Sequence, residues 1–88
     1  MNPTVTPDPA VRNVCGPIVR VDALNRELTV RADGRALDFD IPPSCAIVLN
    51  GELVRLRLLQ PLDPVHISFE ERAGRRVACT ILVTRPRG

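Results

Sequence analysis

The chain has 88 residues, a formal charge of +2 and 44% apolar residues. That length allows one domain, and the apolar share is too high for a disordered chain. Every cation is an arginine, and the only aromatic residues are Phe39 and Phe69. Both phenylalanines fall in alternating apolar patterns that place them in a core. A modest charge without exposed stacking platforms argues against a dedicated nucleic-acid or sugar binder.

In chain order, residues 1–10 carry Pro3, Pro7 and Pro9 among Thr, Asp and Asn, the composition of an extended arm. Neither a basic leader followed by an apolar stretch nor a run near the ~20 residues of a membrane helix occurs. The expectation is a soluble, cytoplasmic protein with no membrane span.

From residue 11 to residue 84 the dominant period is two. Leu28, Val30 and Ala32 alternate with Thr29 and Arg31, and Leu37, Phe39 and Ile41 with Asp38 and Asp40. Val54, Leu56 and Leu58 alternate with Arg55 and Arg57, and Val65, Ile67 and Phe69 with His66 and Ser68. This is the pattern of half-buried strands. Asp33-Gly34 and Asn50-Gly51 predict two-residue hairpin turns, Gly74 a looser Glu71–Arg75 connection, and Pro42-Pro43 a strand end. The fold predicted is all-β: a small five- or six-stranded antiparallel barrel, OB-like or SH3-like. Residues 85–88 read as a short basic tail.

The residues of the turns and strands resemble a known group. Gly16-Pro17-Ile18-Val19-Arg20-Val21-Asp22 with Glu27-Leu28-Thr29-Val30 resembles the opening of small bacterial OB-like barrels. Leu59-Gln60-Pro61-Leu62-Asp63-Pro64-Val65-His66-Ile67 resembles their turn into the penultimate strand, and the segment from Val77 to Val83 their closing strand. Leu62 stands where that group carries glycine. The group includes uncharacterised bacterial domains and the periplasmic copper-binding proteins of silver/copper efflux systems. The resemblance implies an OB-like fold. Those copper proteins use a His, two Met and a Trp, whereas this chain has Met1 only, no Trp, and His66 outside the corresponding strand.

Chemistry-bearing residues are sparse. Cys15, Cys45 and Cys79 form no close pair, and their odd number speaks against a disulfide framework. With His66 they could nominally make a zinc site, His66 and Cys79 falling on strands expected to pair. Buried thiols acting as small hydrophobes are the simpler account. No catalytic or cofactor motif is present, so the expectation is no enzyme activity and no cofactor. Asp38 and Asp40 are expected to face arginines across the sheet. Arg55, Arg57, Arg72, Arg75 and Arg76 could contact phosphates, although a solvated face interleaved with Glu70 and Glu71 is the plainer reading.

Two segments break the alternation. Ala46-Ile47-Val48-Leu49 and the run from Val77 to Val83 are apolar on both sides. A barrel of this size has no second layer to cover an outer apolar face, and such faces mark protein contact. Val48, Ala78 and Leu82 are the candidate anchors. The function expected is a non-enzymatic interaction module or accessory subunit, with a protein partner or a second copy of itself. The alternatives are an oligonucleotide-binding barrel and a thiol-based metal carrier.

Overall fold

The computed structural model describes residues 11–86, so the predicted arm (1–10) and the end of the predicted tail (87–88) lie outside it. Three turns set the chain's course. Asp33-Gly34 (φ 53° and 72°), Asn50-Gly51 (50° and 87°) and Ala73-Gly74 (52° and 77°) each place both central residues at positive φ. This twist matches that of paired strands, which is why it joins them tightly. The third turn is therefore a two-residue turn and not the loose connection expected around Gly74.

Among the described residues seven strands result: β1 (Val11–Asp22), β2 (Glu27–Ala32), β3 (Arg35–Asp40), β4 (Ala46–Leu49), β5 (Glu52–Leu53), β6 (Pro64–Arg72) and β7 (Arg75–Val83). They form one sheet in the order β3-β2-β1-β6-β7-β4-β5, and a further β3–β7 pairing closes a five-strand ring. The expected all-β barrel is present, in the OB-like form. Two of its pairings are parallel: Asp40 opposite Val77 at the closure, and β4 along the second half of β7.

β1 serves both halves of the ring. Its first part pairs with β6 from Val11 to Pro17, and its second with β2 from Ile18 to Asp22. The hand-over occurs at Gly16, where a Cβ would run into the carbonyl oxygen of Arg31. Only glycine allows this close passage.

The barrel interior is filled by inward-facing residues of β1, β2, β3, β4, β6 and β7, among them Ile18, Leu28, Val30, Ile67 and Ile81, each at most 1% exposed. Phe39 and Phe69 meet edge to face inside it, with centroids 5.0 Å apart at 75°. The predicted strand over Val54–Leu58 is not formed. A single 3-10 turn, Leu56–Leu58, replaces it and is the only helical element among the described residues. Leu56 and Leu59 enter the core at 3% exposure each while Leu58 stays 50% exposed. Their spacing of three, not the two-residue alternation, is the one that packs. Among the described residues no helix is long and apolar enough to cross a membrane.

Arg85, read from sequence as tail, is bound into the fold. Its Nε and Nη2 donate to the buried carboxylate of Asp63 at 2.9 and 2.6 Å, Nη2 also donates to Leu58 O, and its backbone N–H donates to Asn50 Oδ1. The folded unit extends at least to this residue.

Candidate functional site on the outer face

The register of five adjacent strands brings one row of residues together on the outside of the sheet. Leu53 of β5 faces Val48 of β4, and Val48 faces Leu82 of β7. Leu82 faces His66 of β6, and His66 faces Cys15 of β1. Leu53 is 77% exposed, Leu82 47%, and Val48 is half-buried. Two of the three candidate anchors therefore sit side by side with their side chains outward, and Leu53 extends the stripe to the sheet edge.

Ala78 does not belong to this face. It is 1% exposed and packs in the core. The cause is a bulge: Ser68 pairs with Thr80 and Phe69 with Ala78, leaving Cys79 as the extra residue. An unpaired residue reverses the facing of everything before it, so Ala78 points inward with Ile81 and Val83.

The thiols separate into two environments. Cys45 is buried, and burial together with the neighbouring Cys79 pushes its thiol up to about 11. Such a thiol stays protonated and inert near neutral pH. Cys15 is exposed, and its Sγ lies 3.3 Å from His66 Nδ1. On the far side of the ring, His66 Nε2 lies 3.2 Å from Asn13 Oδ1, which also accepts the Ser68 hydroxyl at 2.8 Å. The partner of His66 is thus Cys15. Cys79 does lie on a strand paired with β6, but Leu82 is the residue opposite His66. Among the described residues no group of three or more His, Cys, Asp or Glu could hold a metal ion, which removes the single Cys₃His site.

The five arginines do not share one surface. Arg72 donates to Glu70 at 2.7 Å, and Arg75 makes a two-pronged pair with Asp40 at 2.5 and 2.7 Å. Those Arg75 hydrogen bonds hold the Asp40 carboxyl below the usual carboxylate range. Arg76 lies over the Phe39 ring, 6.0 Å from its centroid. Arg55 precedes the 3-10 turn, Arg57 lies within it, and both line a different depression, with Ala23 and Arg26. Asp38 accepts from Thr29 at 2.6 Å and so faces a threonine where an arginine was expected.

Leu53, Asn13 and the Cys15–His66 contact escape a sequence reading. The two members of that contact are 51 positions apart. Only the β1–β6 register joins them, and no motif spacing encodes that register.

No family model matches the chain, and no curated protein sequence matches it. Solved structures of CusF share its fold. A silver(I) form has a TM-score of 0.69 at 18% identity, covering 85% of this chain and 99% of that one. A copper(II) form of a tryptophan-to-alanine variant from Escherichia coli gives 0.70 at 17%, covering 92% and 100%. The metal-free Escherichia coli protein gives 0.69 at 17%, covering 97% and 100%. Likeness at this identity establishes the OB-like barrel and nothing finer.

Proposed function

We propose that this protein is a non-enzymatic binding module whose contact surface is the outer face of β1, β6, β7, β4 and β5. The observation that carries this reading is the in-register stripe Leu82–Val48–Leu53, apolar and outward-facing across β7, β4 and β5, with no second layer over it among the described residues. Covering it would contribute roughly 25 cal/mol per Å² of apolar area. A cytoplasmic setting goes with this proposal, since it keeps free thiols reduced.

Leu82→Glu and Val48→Glu test it. Both variants are expected to fold: at exposed Leu82 the change costs about 0.5 kcal/mol or less, and at half-buried Val48 it lowers the thermal midpoint further without unfolding the protein. Both are expected to lose association, because a buried unpaired carboxylate is penalised by several kcal/mol. Variants that unfold, beside a wild type that is monomeric and free of partners, would sink the reading.

A thiol-based metal carrier is the second reading, favoured by the Cys15–His66 contact and by a fold shared with CusF, of which one structure holds silver(I) and one, of a variant, copper(II). Elemental analysis of natively purified protein checks it. An oligonucleotide-binding barrel has less support, because Arg72 and Arg75 are engaged by carboxylates. Binding to a single strand is expected only at low salt, collapsing as counterion release is suppressed.

A further inference from the structure

Asn13 determines what His66 can do. Its amide oxygen can only accept, so the Nε2 it meets at 3.2 Å carries the ring proton. Nδ1 is then left with its lone pair toward Cys15 Sγ, 3.3 Å away. A second hydrogen bond that fixes tautomer and ring orientation is the usual support of a metal-ligating imidazole. Zinc takes thiolate at about 2.3 Å and imidazole at about 2.0–2.1 Å, which sets tetrahedral donors roughly 3.5 Å apart. The observed pair needs only a small opening to fit.

Each chain offers two donors, whereas closed zinc sites take four. The surroundings indicate where the other two come from. In a twofold contact every residue near the axis faces its own counterpart, so charged side chains there would repel themselves. The row from Cys15 to Leu53 carries no carboxylate or guanidinium. Neither does the next row, in which Ala46 faces Thr80, Thr80 faces Ser68 and Ser68 faces Asn13. In a chain that is 25% charged, this is an uncharged patch with the metal donors at one end and an apolar stripe at the other.

We propose that two copies of this chain close on one zinc ion held by Cys15 and His66 of each, with the Leu82–Val48–Leu53 stripes packed on their counterparts. Two Cys15 thiols lose their protons to solvent as two Zn–S and two Zn–N bonds form, giving a neutral Cys₂His₂ centre. The proposal rests on the reading of this face as the contact surface and names its occupant.

The full chain, freed of metal, is titrated with zinc chloride and followed by sedimentation velocity and native mass spectrometry. A dimer carrying one zinc is expected, with two protons released per dimer. Cobalt(II) in its place should show a thiolate charge-transfer band and tetrahedral visible bands. Cys15→Ser and His66→Gln should remain monomeric with unchanged metal-free melts, and Asn13→Ala should bind zinc about 10–100-fold more weakly. Leu82→Glu should weaken the dimer. A monomer holding one zinc, a dimer indifferent to Cys15→Ser, or a dimer indifferent to Leu82→Glu would each overturn the proposal. Indifference to zinc would overturn it too. If Leu82→Glu still abolished association without zinc, the contact-face reading would stand.

Discussion

Leu62 occupies a backbone conformation that suits glycine, with φ at 78° and the side chain 81% exposed. The turn is held by its own N–H, which donates to Ile18 O at 2.8 Å. A non-glycine residue there costs about 1–3 kcal/mol, partly offset because it narrows the unfolded ensemble. Leu62→Gly should therefore stabilise the protein by about 0.5–1 kcal/mol in urea melts. Gly16 is the converse case: Gly16→Ala should cost at least about 2 kcal/mol, because two strands would have to part. Asp63 gives the fold an acid-sensitive contact. The Arg85 guanidinium, with help from the Gln60 N–H, holds its carboxyl below the ordinary 3.8. The folded state then binds fewer protons than the unfolded chain, so this stabilisation is complete above the ordinary value and is lost as pH falls through the lowered one. Asp63→Ala should cost about 1.5–3 kcal/mol near pH 7, and its cost should shrink as the pH is taken down below the ordinary carboxylate value. Among the thiols, Cys15 should react first with an alkylating reagent and Cys45 only on unfolding, since one is exposed and the other buried. Peptide mapping of partially labelled protein reads this order.

At the level of elements, what was legible followed from period and turn chemistry. β2, β3 and β6 show clean alternation, and Asp33-Gly34 and Asn50-Gly51 have the residue types that positive φ demands. The segment Val54–Leu59 supports two patterns at once, a period of two through Val54, Leu56 and Leu58 and a spacing of three through Leu56 and Leu59. Packing chose the second because both leucines can then reach the core. The bulge in β7 left no mark, as Cys79 is neither glycine nor otherwise unusual there. Without it the facing of Ala78 is read backwards. Ala78→Glu should unfold the barrel where Leu82→Glu leaves it folded, and circular-dichroism melts of the two variants check that difference. The Cys15–His66 contact was hidden for another reason: both residues are plain in sequence, and their meeting is a property of strand order.

For the whole molecule, closure of the ring decides which surfaces remain. A single parallel bridge, Asp40 to Val77, makes that closure, and β4 pairs along the second half of β7, so that β4 and β5 form an added flap whose outer side continues the face of β6 and β1. The five candidate arginines are divided between the β6–β7 hairpin and the 3-10 turn, so these five do not form one track for a phosphate backbone. Other large apolar side chains are also exposed, Leu24 at 92% and Leu62 at 81%, but both sit at turns apart from the stripe. They provide an internal control. Carbene footprinting of the full-length protein, alone and in the complex isolated from its native cell, measures the exposure of each side chain. Leu53, Val48 and Leu82 should lose labelling in the complex while Leu24 and Leu62 keep theirs. Protection of Leu24 or Leu62 with the Leu82 row still labelled would contradict the account.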